Sequence, residues 1–376
     1  MKKFKLVVST MSATRRAGGL FNSVRNLCIC LDKSFDLVVI AGKDEDEDTD
    51  LRLWGKLNLH LLKKFRPYSI GFMPGGLLRI LHEKPDVLHC HGVWSYNALM
   101  CLIAKIIRPK ILLVVSPRGM LDEWALANSS WKKWLARKLY ANQLIRRSDF
   151  IHALCDAEMQ SVKRFAPEAN VFILPNGVNG ADANINDRKP TGTNNVVGYI
   201  GRLHPKKGLE NLILAFKDLT DSKYSLQIAG MGSLSYTEKL QNLIIQNKLE
   251  KRVQLVGAKY GRDKSIFLHN CDVTVLPSYS EGLPMSVLDS WVHGVPTMIT
   301  KECNFDEFGK KKFAIPIRAD AAEIRDNILN FFSQTQDQMD LLGQEARAHA
   351  LHFYSWETIS DKYVKLVNDE LHRHHV

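Results

Sequence analysis

The segment from Glu281 to Asp289, with the sequence E-G-L-P-M-S-V-L-D, carries two carboxylates whose placement could serve chemistry. The run Cys271–Ser278 before it is largely apolar and β-branched, which predicts a buried strand. Pro284 favours the first turn of a helix, and Gly294 favours its end. Glu281 should therefore lie on the loop at the helix N-terminus, with Asp289 about a turn and a half inside the helix.

The predicted helix N-terminus is the part of this segment that would bind an anion. It has unpaired backbone N–H groups and partial positive charge. Carboxylates beside it accept hydrogen bonds from hydroxyl groups. Together these groups suit a ligand that is both phosphorylated and rich in hydroxyls, such as a nucleotide sugar. The alternative is a surface strand–helix corner with two solvated acids.

A second loop, Gly201–Gly208, follows another predicted strand and has the sequence G-R-L-H-P-K-K-G. Arg202 can donate two parallel hydrogen bonds to a phosphate, and Lys207 supplies a compact positive charge. This cation pair suits a diphosphate, although the residue order is not that of a Walker P-loop. An exposed basic turn is the alternative.

The N-terminal half offers two weaker signals. Gly18 and Gly19 stand between the first predicted strand and a helix, where paired glycines let backbone N–H groups approach a phosphate. The full G-x-G-x-x-G pattern is missing, so nicotinamide binding is weakly supported and a plain turn is the alternative. His89 and His91 form an H-x-H pair, but no third ligand has fitting spacing. We therefore expect histidines that are buried or line a cleft, without a metal.

Apolar or β-branched runs alternate with helical patterns along both halves of the chain, which predicts parallel sheets. The fold class is therefore α/β, with two Rossmann-like doubly wound domains facing a central cleft, where ligands bind at the carboxyl ends of the strands. Residues 178–194 are polar and favour a linker. The predicted domains are residues 1–185, residues 186–350 and a C-terminal helix, 351–376, that can pack back on the N-terminal domain. The predicted strands are Phe4–Ser9, Asp36–Ala41, Asp86–His91, Lys110–Ser116, Phe150–Ala153, Val171–Leu174, Asn195–Ile200, Tyr224–Ala229, Val253–Val256, Val273–Pro277, Val295–Thr300 and Phe313–Pro316.

The composition of the 376 residues is that of a soluble protein, with 45% hydrophobic and 24% charged residues. No apolar run approaches the ~20 residues that span a bilayer, and the start predicts a first strand instead of a signal peptide. The seven cysteines are scattered and odd in number, which favours reduced thiols in the cytoplasm.

The net charge of +11 belongs to the N-terminal half, where residues 1–190 hold 29 basic and 18 acidic residues. Nucleic acid, an anionic membrane surface or plain solvent could each face such a surface. No nucleic-acid-binding signature is present, so we expect no nucleic acid partner. The segment Trp131–Arg147 predicts one helix with an apolar stripe that suits a membrane surface or packs on the sheet. The acidic run Asp44–Asp48 predicts a solvated loop.

With these residues in place, the chain resembles the family 4 (group 1) retaining glycosyltransferases of the glycosyltransferase B fold. Two further segments, Ser116–Leu121 and Glu302–Asn304, resemble the bacterial surface-polysaccharide branch of that family. The motifs that carry the family resemblance are Gly18-Gly19, Asp86–Gly92, Pro175–Val178, Gly201–Leu203, Lys207-Gly208, Gly257, Pro277-Ser278, Glu281–Pro284 and Gly294–Pro296.

The resemblance implies a hexosyl- or N-acetylhexosaminyl-transferase that needs no cofactor and no metal, with a UDP-sugar favoured over a GDP-sugar. The C-terminal domain would bind the donor, and the N-terminal domain a saccharide acceptor linked to a polyprenyl diphosphate. The enzyme would then be cytoplasmic and peripheral at the inner face of the membrane. Arg118 and Asn176 would lie on the acceptor side. The donor-binding set would be Gly18, Gly19, Gly201, Gly232, Gly257, Gly282, Leu283, Pro284 and Asp289.

Two residues depart from the family pattern. Asp289 stands where the family usually has Glu, in the position assigned to the ribose hydroxyls. Arg118 stands where many members have a histidine, which leaves His91 as the candidate for contact with the reacting sugar.

The expected chemistry is transfer of a sugar with retained configuration. Arg202, Lys207 and the helix N-terminus at Gly18-Gly19 would stabilise the leaving diphosphate, and Glu281 would hold sugar hydroxyls. No second carboxylate is evident for a covalent intermediate, so the resemblance implies attack on the same face, assisted by the departing phosphate. A nucleotide-sugar 2-epimerase of the same fold is the alternative, and product analysis with donor alone would separate the two.

Overall fold

The structure is a computed structural model that describes residues 3–44, 48–66, 68–122, 131–180, 195–219 and 221–374. The chain divides into two compact units, Met1–Gly177 with Trp356–Val376, and Val178–Ser355. The boundaries predicted from the sequence are at residues 185 and 350. Most of the predicted linker lies outside the described residues.

Unit 1 is built on a seven-stranded parallel sheet with the order β3-β2-β1-β4-β5-β6-β7. Its central strands are apolar and buried on both faces, as parallel strands covered by helices must be. The strands are β1 (Lys5–Thr10), β2 (Asp36–Gly42), β3 (Asn58–Leu62), β4 (Val87–His91), β5 (Leu112–Ser116), β6 (Phe150–Ala153) and β7 (Val171–Ile173). The helices are α1 (Gly19–Leu31), α2 (Asp48–Leu51), α3 (Gly75–Glu83), α4 (Tyr96–Ile107), α5 (Trp131–Ala136), α6 (Asn142–Arg147) and α7 (Asp156–Phe165), with 3-10 turns at Arg15–Ala17, Arg52–Trp54 and Tyr68–Ile70 and a π-helix at Arg137–Ala141.

Unit 2 is built on a six-stranded parallel sheet with the order β10-β9-β8-β11-β12-β13. From its own first strand, this repeats the order of the first six strands of unit 1. The strands are β8 (Asn195–Ile200), β9 (Tyr224–Ala229), β10 (Val253–Gly257), β11 (Val273–Leu276), β12 (Thr297–Ile299) and β13 (Ala314–Pro316). The helices are α8 (Leu209–Ala215), α9 (Leu234–Gln246), α10 (Gly261–His269), α11 (Met285–Val292), α12 (Ala321–Phe332) and α13 (Gln336–Tyr354), with 3-10 turns at Pro205–Lys207 and Lys301–Cys303.

The last helix, α14 (Trp356–His374), returns to unit 1. Trp356, Ile359, Tyr363 and Val367 recur every three or four residues, so they lie on one face of α14. That face joins the buried core around α1 and β1. The C-terminal helix is therefore a structural part of the first unit.

In both sheets the strand order reverses at the first strand of the unit. The next two strands of the chain lie on one side of it, and the later strands lie on the other side. In doubly wound sheets, ligands bind at the carboxyl ends of the strands on either side of that reversal. In unit 1 these strands are β1 and β4, and in unit 2 they are β8 and β11. The loops that leave them are the places where each unit positions a binding site.

Candidate functional site

The loops after β8 and β11 lie side by side in unit 2, because these two strands are neighbours in the sheet. The backbone N–H of Tyr279 donates to the carbonyl of Lys206 at 2.8 Å, which joins the loops directly. Gly208 makes this approach possible. Its φ is +66°, and a Cβ added there would lie 2.1 Å from the carbonyl oxygen of Pro277. The two motifs of the sequence analysis are thus brought together.

Lys207 and Glu281 form an ion pair where these loops meet, and their side chains are only 9% and 8% exposed. The hydroxyl of Ser278 donates to the same carboxylate oxygen at 2.7 Å. A buried ion pair is tolerated only when hydrogen bonds of this kind satisfy it. The pair fixes the Glu281 side chain and balances the charge of Lys207.

The backbone around Glu281 is held from a third loop by Asn304. Its side-chain amide donates to the carbonyls of Glu281 at 2.7 Å and Gly282 at 2.8 Å, with a longer contact to that of Glu302. Asn304 has a φ of +58°, a left-handed conformation that asparagine tolerates better than most residues. Sequence reasoning used Asn304 only as part of a family resemblance and missed this role.

The N-terminus of α11 follows directly after this clamped loop. Pro284 precedes the helix instead of lying in its first turn, and no side chain caps the helix. Its first backbone N–H groups are therefore available to an anion. The Gly282 backbone has open space where a side chain would be. Leu283 is nearly buried.

Asp289 lies inside α11, as expected, and its carboxylate pairs with Lys264 on α10 at 2.7 Å. Both side chains remain about a quarter exposed. The two carboxylates of the motif therefore have different partners. Glu281 pairs with a buried lysine and Asp289 with a partly exposed one.

The other predicted donor residues of unit 2 surround the loop after β8. Arg202 is exposed, and its carbonyl accepts from the hydroxyl of Tyr199 at 2.8 Å. Gly232 lies against this loop, since a Cβ there would be 2.4 Å from the carbonyl of Leu203. Gly201 begins the loop, and Gly257 ends β10 with a φ of +72° and no atom near its missing side chain.

In unit 1, α1 begins at Gly19, and Gly18 precedes it with a φ of +62°. A Cβ at either glycine would meet no atom within 4 Å. The loop before them is anchored by Asp50, whose carboxylate pairs with Arg15 at 3.0 Å. The predicted pair of glycines therefore stands at an open helix N-terminus, as the motif requires.

Asp44 anchors the same loop, so the prediction that the acidic run Asp44–Asp48 is a solvated loop is wrong at Asp44. Its carboxylate is buried and accepts from Ser12, from Thr14 at 2.8 Å and from Lys64. Burial by itself would raise the pKa of Asp44, but these hydrogen bonds lower it below its usual range. Residues 45–47 lie outside the described part of the chain. A run of acidic residues usually indicates an exposed loop. The sequence gives no sign that Lys64, which is distant in the chain, pairs with Asp44.

Three buried histidines stand at the carboxyl ends of β4 and β6. Burial lowers the pKa of His152 to about 3 and lowers the pKa values of His89 and His91 well below their usual range. All three are therefore neutral. The sequence motif paired His89 with His91 and did not include His152.

The hydrogen bonds fix the tautomers of His89 and His152. The carbonyl of Leu174 can only accept, so His152 carries its hydrogen on Nε2 and accepts at Nδ1 from Ser116. The Ser116 oxygen in turn accepts from Nε2 of His89, and Nδ1 of His89 accepts from the hydroxyl of Tyr363. These two rings have no nitrogen left for a ligand.

His91 differs from its neighbours. Its Nδ1 accepts from Arg118 at 3.3 and 3.4 Å, so its hydrogen must be on Nε2. That nitrogen is buried and has no partner among the described residues. Arg118 also donates to the side-chain oxygen of Asn176 at 2.9 Å. His91 and the two acceptor-side residues of the sequence analysis thus form one cluster in unit 1.

In the described part of the chain, no three His, Cys, Asp or Glu side chains lie close enough together to hold a metal ion. The cysteines are free thiols, and all but Cys30 are buried. No helix within the described ranges is long and apolar enough to span a bilayer.

The predicted helix Trp131–Arg147 is continuous but contains the π-helix Arg137–Ala141. Its C-terminal apolar residues, Leu144 and Ile145, are buried in the core of unit 1. Trp134, Leu135 and Leu139 are instead 57%, 40% and 67% exposed. The side chains of residues 131–133 lie outside the description. The helix therefore packs on the sheet at one end and exposes apolar side chains at the other.

Two family models match the chain and together cover most of it. Residues 181–349 match "Glycosyl transferases group 1", and residues 18–177 match "Glycosyl transferase 4-like domain". Among curated proteins, an uncharacterized glycosyltransferase, MJ1178 of Methanocaldococcus jannaschii, is 23% identical over 90% of this chain and 91% of its own. The putative colanic acid biosynthesis glycosyltransferase WcaL of Escherichia coli is 23% identical over 60% of this chain and 58% of its own.

The chain is also similar to solved structures. The crystal structure of Anabaena Alr3699/HepE in complex with UDP and glucose superposes with a TM-score of 0.78 at 17% identity. The superposition covers 97% of this chain and 99% of that one. The superposition therefore extends over both units.

Proposed function

The chain belongs to the group 1, family 4 glycosyltransferases of the glycosyltransferase B fold, and on that premise we propose that it transfers a sugar from a nucleotide-diphosphate sugar with retention of configuration. The observation that carries this proposal is the pairing of Lys207 with Glu281 beside the uncapped N-terminus of α11. It combines a carboxylate for sugar hydroxyls with cations and N–H groups for phosphate.

The charges suggest how the donor is held. Glu281 already neutralises Lys207. Of the two cations predicted to bind a diphosphate, Arg202 is therefore the one without an ion pair among the described residues. Its planar guanidinium can donate two parallel hydrogen bonds to phosphate oxygens. Negative charge develops on the leaving diphosphate in the step that breaks the glycosidic bond. A positive charge that is already in position stabilises this step most. We assign this role to Arg202, assisted by Lys207 and the helix N-terminus at Gly18 and Gly19.

We propose that the donor is a UDP-sugar whose sugar is a hexose or an N-acetylhexosamine. Glu281 would hold the hydroxyls of the donor sugar. Asp289 would accept hydrogen bonds from the ribose hydroxyls, either in place of its contact with Lys264 or in addition to it. The UDP-bound structure of the HepE protein supports this choice of nucleotide. The role of His91 would be to donate its free Nε2–H to a sugar hydroxyl.

For the acceptor we propose a saccharide linked to a polyprenyl diphosphate, in the synthesis of a surface polysaccharide such as an O-antigen. The similarity to WcaL supports a polysaccharide pathway. The exposed side chains Trp134, Leu135 and Leu139, beside basic residues, support contact with an anionic membrane. The enzyme would then act as a peripheral protein at the cytoplasmic face, without a metal ion.

Product analysis tests this proposal. Purified protein is incubated in EDTA with a panel of UDP- and GDP-sugars, with and without saccharide acceptors, and the products are identified by NMR. We expect free UDP and a new glycoside with the anomeric configuration of the donor. A new sugar epimer from donor alone would support the epimerase instead, and a glycoside of inverted configuration would refute retention.

A further inference from the structure

Arg118 is a guanidinium in unit 1 whose charge has no ion-pair partner in the described parts of the chain. Its three nitrogens donate to neutral acceptors, namely Nδ1 of His91 and the side-chain oxygen of Asn176. Burial lowers the pKa of Arg118 to about 10, which leaves it charged at neutral pH. A partly buried charge that contacts no counter-ion is unfavourable.

The carboxylate that attracts Arg118 most strongly does not supply that counter-ion. Glu158 attracts Arg118 electrostatically, but its two oxygens accept the backbone N–H groups of Gly119 at 2.6 Å and Leu154 at 2.7 Å. Burial raises the pKa of Glu158. Its carboxylate therefore serves to fix the loop that carries Arg118 and does not bind the guanidinium.

The cluster also keeps unused donors. A guanidinium has five N–H groups, and the contacts above use three of them, which leaves one on each terminal nitrogen. His91 is 1% exposed, and its Nε2–H has no partner among the described residues. A buried donor without an acceptor costs free energy, so these groups favour an incoming acceptor. Arg118 itself is only partly buried, so a ligand can reach it.

We propose that Arg118 binds the carboxylate of an acidic sugar, which reaches the protein either as the donor sugar or as part of the acceptor. This inference rests on the proposed function and adds a substrate class to it. The fork of a guanidinium matches a carboxylate with two parallel hydrogen bonds. Arg118 donates only to neutral acceptors, and Glu158 balances part of its charge without contacting it. The remaining charge also matches a singly charged carboxylate better than a doubly charged phosphate.

Calorimetry with matched probes tests the proposal in two arms. The donor arm compares UDP-glucuronate with UDP-glucose. The acceptor arm compares 4-nitrophenyl glucuronide with 4-nitrophenyl glucoside, in the presence of saturating UDP. We expect the carboxylated probe to bind about tenfold or more tightly in one arm, since hydrogen bonds to charged groups discriminate at this level. The arm that shows the preference identifies which substrate carries the acid.

Three variants assign the preference to Arg118. Arg118→Gln should abolish it while UDP binding stays unchanged, and Arg118→Lys should keep only part of it because lysine has no fork. Arg146→Gln, on an exposed residue of the same unit, should leave it intact. Circular dichroism and the thermal unfolding midpoint of each variant confirm folding. If Arg118→Gln does not fold, the partial loss of preference expected for Arg118→Lys tests the assignment.

Two outcomes would overturn the proposal, and both differ from failure of the proposed function. Equal affinity for both members of each probe pair, with UDP binding intact, would show that no carboxylate is recognised. A preference that survives in Arg118→Gln would assign recognition elsewhere. Absence of any UDP binding by the wild type would instead contradict the nucleotide-sugar site of unit 2.

Discussion

At the residue scale, the side chains of the candidate donor site are held by an ion pair and its backbone carbonyls by hydrogen bonds, without any ligand. Lys207 and Glu281 pair in a buried setting, and Asn304 holds the backbone on either side of the carboxylate. Sites with fixed geometry of this kind lower the cost of ordering a ligand. Asn304 should therefore matter to activity as much as the motif residues do.

The role of Asn304 can be separated from its backbone conformation. Asn304→Ala removes the amide that binds two carbonyls and places alanine at a positive φ, whereas Asn304→Gly removes the amide without strain. Loss of a buried hydrogen-bond partner costs about 1–3 kcal/mol. If the amide is what matters, both variants should lower kcat/KM by roughly tenfold or more. Steady-state kinetics measures this, and near-normal activity of Asn304→Gly would show that only the conformation is needed.

The neutral histidines of unit 1 predict a specific dependence of stability on pH. The pKa of His152 is about 3 in the folded protein, against about 6.5 in an unfolded chain. Between these values the unfolded chain binds more protons, so stability is complete above pH ~6.5 and is lost as the pH falls from there toward 3. The loss can reach about 1.4 kcal/mol per pH unit for each such ring.

Thermal unfolding at pH values from 7.5 to 5 measures this dependence. The wild-type midpoint should fall with decreasing pH, and His152→Gln should fall less steeply because glutamine does not titrate. Gln can still donate to Leu174 and accept from Ser116, so the hydrogen-bond chain is preserved. Identical slopes for the two proteins would contradict a neutral buried His152.

At the scale of elements, most strands could be predicted because buried parallel strands are continuous apolar runs. Phe150–Ala153, Asn195–Ile200 and Tyr224–Ala229 are observed with the predicted bounds. β3 (Asn58–Leu62) was not predicted, since it is a half-exposed edge strand in which polar and apolar residues are mixed. Edge strands bury less and therefore carry a weaker signal.

The same contrast applies to the candidate sites. Sequence spacing placed Glu281 and Lys207 on loops after strands, and the strand order then brought them together. The partners of Asp44 and Glu281, which are Lys64 and Asn304, come from distant loops. Contacts of this kind depend on the path of the chain between elements, and no local pattern encodes them.

The close approach of the loops after β8 and β11 predicts different effects at two glycines of unit 2. Gly208→Ala would place a Cβ 2.1 Å from a carbonyl oxygen, in addition to its φ of +66°. Gly257→Ala has a φ of +72° but open space, so only the conformational cost of about 1–2 kcal/mol applies. We expect Gly208→Ala to abolish activity or soluble expression, while Gly257→Ala lowers the unfolding midpoint modestly. Equal effects on yield, unfolding midpoint and activity would contradict the described packing.

At the scale of the whole molecule, the excess positive charge of the N-terminal half and the exposed apolar side chains of the Trp131–Arg147 helix both favour a membrane surface. The Nζ atom of Lys138 lies 4.3 Å from the ring centre of Trp134. A positive charge therefore lies next to the exposed apolar side chains of this helix. We expect binding to anionic vesicles that weakens with salt, because exposed charges are screened. Neutral vesicles should bind little.

Vesicle flotation tests this surface with matched variants. Trp134→Ser with Leu139→Ser should reduce binding to anionic vesicles severalfold. Leu234→Ser, which changes an 83% exposed leucine of unit 2, should leave it unchanged. Equal flotation with neutral and anionic vesicles, or none with either, would reject the electrostatic membrane interaction.

The central claim is that unit 2 binds a nucleoside diphosphate through Arg202 and the neighbouring helix N-terminus, and calorimetric titration of UDP in EDTA tests it most directly. We expect metal-free binding of UDP that is tighter than that of GDP. In Arg202→Gln the affinity for UDP should weaken about tenfold or more, through loss of charged hydrogen bonds. Arg262→Gln, on an exposed residue of α10, should bind as the wild type does. Absence of UDP and GDP binding, or UDP affinity that Arg202→Gln leaves unchanged, would contradict the account.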